Sequence, residues 1–298
     1  MPNYETTSND AEQRDKRQSA VAERLSEINI HEITPEDIEF MNQTTQEYMR
    51  NHFPVPGELI DQIPDHIKIV DSNTFRNLES EISINGINLD GVTGIYSENS
   101  SEILINADAN QSPEQLYATM FRESTHYVSI NNGAGYSSRL TVPNEILDDP
   151  ESADLLSEGY NAYIEGATQS FTLDALSEMG IDTRSGGPHS VYADVFRAIN
   201  KHRSPEAVKQ EYFTSSNEQI RRKIEATLID DPSARQSYLE DERAATGAYA
   251  EALIACGLAC RNIILAADRN DRAEIQRTYQ DIERSMQYYQ TRKESQNV

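Results

Sequence analysis

The sequence predicts an α+β chain dominated by helix, with a small mixed or antiparallel sheet in its first half and an all-helical second half. Three observations carry this expectation. Residues 91–108, GVTGIYSENSSEILINAD, read as a strand, a polar turn at Glu98–Ser101 and a second strand. Residues 112–115, Ser-Pro-Glu-Gln, combine an N-cap serine, a proline at the first helical position and a glutamine three residues after the cap, which together signal a helix start. In the second half glycine and proline are sparse and Ala, Glu, Arg and Gln are common, a composition that favours helix.

The elements follow in order. Residues 1–25 are charged and polar with little periodicity, and read as a disordered or loosely helical leader. Thr34, Pro35 and Asp37 fit the N-cap, N1 and N3 positions of a helix whose Ile38, Met41, Thr45 and Tyr48 recur at near-helical spacing, until Pro54, Pro56 and Gly57 break it. His66–Ser72 alternates as a strand, and residues 73–90 are ambiguous between helix and turn. A helix over 113–131 should stop near Asn131-Asn132-Gly133, and another should span about 150–178. Further helices are expected at 188–203, 205–213, 216–229, 233–267 and 270–292. The implied organisation is a leader (1–25), a mixed domain (26–180) and a helical lobe (181–298). In the longest helix Ala244, Ala245, Ala248, Ala252, Ala255 and Ala259 form a small-residue stripe suited to close helix packing, within the chain or across a dimer; the oligomeric state stays open.

The chain has 298 residues and a formal net charge of -24, from 50 acids against 26 bases. Such a field repels nucleic acid and anionic membranes and suits a basic protein or peptide partner, although solubility alone would also account for it. No apolar run approaches the roughly 20 residues needed to cross a bilayer. The opening MPNYETTSNDAEQRDKRQ has no apolar core of a signal peptide, so a cytoplasmic location is expected, or export by a route that reads another signal. Cys256 and Cys260 lie four apart in a helical stretch and read as small core residues, since a pair on one helix rarely meets disulfide geometry.

The helix over 113–131 contains Phe121-Arg122-Glu123-Ser124-Thr125-His126-Tyr127-Val128. Arg122 and His126 are one turn apart on one helix face, with Glu123 beside them. In H-E-x-x-H helices two histidines four apart bind zinc, and the glutamate after the first activates water. Leu155-Leu156-Ser157-Glu158-Gly159-Tyr160-Asn161-Ala162-Tyr163 lies downstream. Strand pair, polar loop, R-E-S-T-H helix and E-G-x-x-x-Y helix together resemble the gluzincin type of zinc metallopeptidase, over roughly residues 60–170. The resemblance implies a zincin-like fold for the first part of the chain. It implies that Glu123 occupies the general-base position, His126 the second zinc ligand and Glu158 the third, with Arg122 where the first histidine would be. A guanidinium offers no lone pair and cannot bind zinc. The site is therefore expected to be metal-free, with no cofactor, and Arg122 to bridge to Glu158, with Glu123 as a further partner.

The resemblance thus implies a catalytically degenerate peptidase-like protein that binds a peptide or protein partner in the former cleft, along an edge strand near Ile103–Asn106. One alternative is a working zinc endopeptidase that recruits a substitute ligand, His189 or a carboxylate such as Glu165. Another is an acidic helical interaction protein. Tyr160, Tyr163 and Tyr192 are candidate oxyanion donors, and Tyr163 and His189 candidate cleft residues. His31, His52, His66 and His202 have no ligand-like neighbours. Each motif residue also has a plain structural reading: His126 as a hydrogen-bonded helix histidine, Glu158 in a solvated turn of helix, and Arg122 with Glu123 as surface charge.

Overall fold

The computed structural model describes residues 20–77, 91–134, 150–181, 188–200, 204–214 and 272–281, with single helical residues at 259, 262, 263 and 266; of 133–134, 150–161, 188–190 and 199 it describes the backbone alone. The chain divides into two compact units, Met1–Asn132 with Phe171–Arg184, and Gly133–Ser170 with Ser185–Val298. The division is discontinuous in sequence. Cys256, Cys260, the helix at 216–229 and the alanine stripe other than Ala259 lie outside the described residues.

In the first unit, residues 20–26, which take in the described part of the stretch read as a leader, are helical and Leu25 is fully buried. Helix α1 (Pro35–His52) starts as its sequence demands: Thr34 Oγ1 accepts the Asp37 N–H at 3.2 Å, and Asp37 Oδ2 accepts the Thr34 N–H at 3.0 Å, closing a capping box. Arg24 donates to the other Asp37 oxygen at 2.6 Å, tying residues 20–26 to the start of α1. Two short helices, α2 (Gly57–Asp61) and α3 (Ile63–His66), lead into strand β1 (Ile67–Val70) and helix α4 (Ser72–Asn77). Strands β2 (Gly94–Ser97) and β3 (Glu102–Asn106) form the expected hairpin around residues 98–101.

The sheet is mixed, in the order β1-β3-β2, with β1 parallel and β2 antiparallel to β3. This corrects the expectation that Ile103–Asn106 forms an edge. It is the central strand, paired on both sides and buried from Ile103 to Asn106. Its unbroken Ile-Leu-Ile run is what a strand covered on both faces requires; an edge with one wet face would alternate. On one face Leu104 packs with Phe75 of α4, joined by Val70, Val92 and Ile95. On the other lies helix α5 (Pro113–Ser129), where a Cβ added at Gly94 would stand 2.5 Å from Thr119 Cγ2 and 3.1 Å from Ile105 Cδ1. Glycine at 94 lets α5 approach the sheet.

Helix α5 begins at Ser112, whose hydroxyl accepts the Gln115 N–H at 3.2 Å. The reciprocal half of the expected capping box is displaced by one residue, because Gln115 Oε1 takes the Gln111 N–H at 2.9 Å. At its other end α5 widens into a π-turn over Ile130–Ala134, beyond the stop expected at 131. Asn131 Nδ2 donates to the Tyr127 carbonyl at 2.9 Å, a second hydrogen bond on an oxygen that also accepts the Ile130 backbone N–H. Beneath α5 an aromatic cluster forms from Tyr48, Phe53 and Phe121, with Phe171 6.0 Å from Phe53.

Helix α6 (Pro150–Glu178) has the span expected from sequence; its part up to Ser170 belongs to the second unit and the rest to the first. In the second unit it meets α7 (Pro188–Asn200), and α8 (Pro205–Thr214) follows. A Cβ on Gly166 would stand 2.4 Å from the Tyr192 carbonyl oxygen, so α6 and α7 nearly touch backbone to backbone. Tyr163 packs edge-on against Phe196 at 5.0 Å, and the Thr168 and Tyr212 hydroxyls share a hydrogen bond of 2.7 Å.

Two outcomes follow from these contacts. Gly94→Ala and Gly166→Ala should each lower stability by about 1–3 kcal/mol in urea denaturation, as overpacking does. Gly166→Ala should cost more, because its obstacle is backbone and Gly94 faces a side chain. The second outcome concerns pH. Asp37 is held below its ordinary value near 3.8 chiefly by the Thr34 N–H, against the opposing effect of burial, and with help from the Thr34 hydroxyl and Arg24. A depressed carboxylate adds stability that is present above its unfolded value and lost as pH falls through its folded value. Asp37→Asn should therefore be less stable at neutral pH and show a shallower loss of stability on acidification than the parent, measured by urea denaturation across pH.

Candidate functional site

From Thr119 to Ser129 every residue of α5 is buried except Arg122, which is half-buried. A helix covered so completely has no solvent to satisfy its polar side chains. Thr125 Oγ1 solves this locally by donating to the Phe121 carbonyl at 2.9 Å, and Ser129 Oγ by donating to the His126 carbonyl at 2.9 Å. Ser124 Oγ is buried with no hydrogen-bond partner among the described residues.

The largest demand is charge. The side chains of Arg122 and Glu123 are 13% and 4% exposed. Arg122 donates from Nε at 2.8 Å and from Nη2 at 2.5 Å, both to Glu123 Oε1. The two donors converge on one carboxylate oxygen instead of engaging both in a fork. The carboxylate expected at the water-activating position is thus bonded to the guanidinium expected at the first-ligand position. The reading of these two residues as solvated surface charge does not hold, since both are shielded from water.

His126 lies one turn on from Arg122, and is 9% exposed. Glu158 lies on α6 and His189 is the second residue of α7, but both side chains fall outside the described residues, so the expected Arg122–Glu158 bridge does too. Tyr163, expected in a cleft, is buried in the second unit against Phe196. Among the described residues no group of three or more His, Cys, Asp or Glu side chains is placed to hold a metal ion.

The structure adds neighbours that the motif does not announce. Tyr127, next to His126, packs at a tilt against His66 with ring centroids 4.6 Å apart and meets Tyr96 of β2 edge-on at 5.7 Å. Asn131 donates to the Tyr96 hydroxyl at 2.8 Å, joining the π-turn to strand β2. Burial, with the charges of Tyr96 and Asp65 beside it, pushes the Tyr127 phenol above its ordinary value. Tyr127 is accordingly a hydrogen-bond donor at neutral pH, directed to Gln62 Oε1 at 3.4 Å. The only sequence trace of this cluster is the Asn131-Asn132-Gly133 stop signal, which marks the end of the helix and not its contact with β2.

The loop from β3 to α5 is equally fixed. Asn110 Nδ2 donates to the Asn106 carbonyl at 2.7 Å and the Thr93 carbonyl at 3.1 Å, while its Oδ1 lies 2.9 Å from the Thr119 hydroxyl. This amide staples both strands of the hairpin to the first turns of α5, and so sets where Arg122 and Glu123 stand.

Removing one partner of a buried pair strands the other, at a cost of about 3–5 kcal/mol. Arg122→Met, which leaves the Glu123 carboxylate without these two donors, should destabilise on that scale in urea denaturation, and Glu123→Gln by less. The double substitution should cost well under the sum, and strictly additive losses would show that the two side chains are not coupled. No protein-family model, curated protein or solved structure matches this chain.

Proposed function

We propose that the first unit is a zinc-peptidase-like scaffold that binds an extended peptide or protein segment without cleaving it. The observation that carries this reading is the Arg122–Glu123 ion pair. A carboxylate that already accepts two guanidinium hydrogen bonds at 2.8 and 2.5 Å is poorly placed to take a proton from water. The positive charge of Arg122 also opposes a dication at the same turn of helix.

The strand, polar loop and helix order that resembles the zinc peptidases supports the reading. The docking strand in it is β2, because Ile103–Asn106 is central. Among the described residues β2 pairs only with β3, which leaves its outer edge for main-chain hydrogen bonds to an added strand. With 50 acids against 26 bases, the chain favours a partner with a basic sequence.

Metal content tests this directly. Protein purified without a metal-affinity step should contain no stoichiometric zinc by mass spectrometry, and about one zinc per chain would sink the proposal. Arg122→His should be destabilised in chelator, since it removes the partner of Glu123, and should regain thermal stability on adding zinc through the restored H-E-x-x-H pair.

A further inference from the structure

A cavity of about 470 Å³ lies within the first unit, remote in sequence from the Arg122 turn, beside the C-terminal ends of the parallel strands β1 and β3. Its volume falls in the range of small-molecule sites. Ile30, Ile33, Ile38 and Ile69 form its walls, and each is only half-buried, so four branched aliphatic side chains converge on a space that none of them fills.

Three polar residues line the same space, and they differ in what they have left to offer. Asn110 is saturated by the hydrogen bonds that staple the hairpin to α5. Asp108 is exposed, and one of its oxygens accepts the Ser72 N–H at 2.8 Å. That bond fixes the carboxylate's direction and leaves the other oxygen as an acceptor. His31 is exposed as well; its backbone N–H bonds to Asn29 Oδ1 at 3.1 Å, and its ring can serve as a second acceptor in the neutral form. No lysine or arginine is among the described lining residues. Arg76 on the nearby helix α4 donates from Nε to the Ser72 carbonyl at 3.2 Å and is not part of the lining.

An aliphatic wall with an oriented carboxylate at its rim selects for one kind of molecule. We propose that this cavity binds a small aliphatic amine, with the alkyl chain against the four isoleucines and the ammonium on Asp108. An aliphatic acid would meet the Asp108 charge and a net field of -24. A neutral alcohol would gain the apolar contact without the charge-assisted hydrogen bond.

Hexylamine, hexanoate and hexanol, titrated into the full chain by calorimetry and ligand-observed NMR, separate these cases. Hexylamine should bind saturably and more tightly than the other two. Asp108→Asn keeps an oxygen for the Ser72 N–H but removes the charge, and should weaken hexylamine about tenfold, the size of one hydrogen bond to a charged group, while leaving hexanol unchanged. Ile33→Gln should weaken both. Unaltered circular dichroism would show that each variant is folded, and should a variant fail this control, the ranking of the three probes on the parent chain decides. The proposal is overturned if hexanoate or hexanol binds as tightly as hexylamine, if Asp108→Asn leaves hexylamine binding unchanged, or if no probe binds saturably.

Discussion

Helix α5 is buried along its whole second half, and that constraint organises the first unit. A helix with water on one side can leave its charges there. On α5 most polar side chains find a partner inside the protein, Ser124 being the exception among the described residues. Thr125 and Ser129 turn back onto the helix's own carbonyls, Asn131 does the same while reaching β2, and Arg122 and Glu123 neutralise one another. The sheet is arranged to permit this. A strand without a side chain at position 94 lets the helix settle onto it, and the Asn110 amide holds the incoming loop in place.

The same constraint joins the ion pair to the proposed loss of zinc chemistry. In an H-E-x-x-H helix a metal serves as the counter-charge for its ligands and as the electrophile for the reaction. A guanidinium can take over the first task and not the second. In the proposed reading, the two Arg122 donors on Glu123 Oε1 meet the first. Beside the pair, Tyr96 of β2 meets Tyr127 of α5 edge-on, so the sheet and the helix are joined by an aromatic contact as well.

Much of the local structure was legible in residue order because it is set by contacts a few residues apart. The Thr34–Asp37 box, the Glu98–Ser101 hairpin and the full span of α6 all rest on such short-range chemistry. The central place of Ile103–Asn106 was not foreseen, although its apolar run marks a strand covered on both faces. Which neighbour lies on which side depends on the parallel pairing of β1, a long-range contact with no local signal. Likewise Arg122 could be recognised as a cation where a ligand would be, but its choice of Glu123 depends on how deeply α5 is covered. Gln115 shows a finer limit: the sequence has the residue types of a reciprocal cap, yet the side chain bonds one position earlier.

The ion pair joins two consecutive residues, and this bears on how the protein can change over generations. Loss of the guanidinium at 122 while Glu123 remains strands a carboxylate in the interior, so a lineage that takes that step alone crosses a variant that folds less well than its parent. A histidine at 122 is such a step, unless a metal ion is at hand to take the place of the guanidinium. Position 122 should therefore change only together with position 123, which makes the present pairing hard to leave.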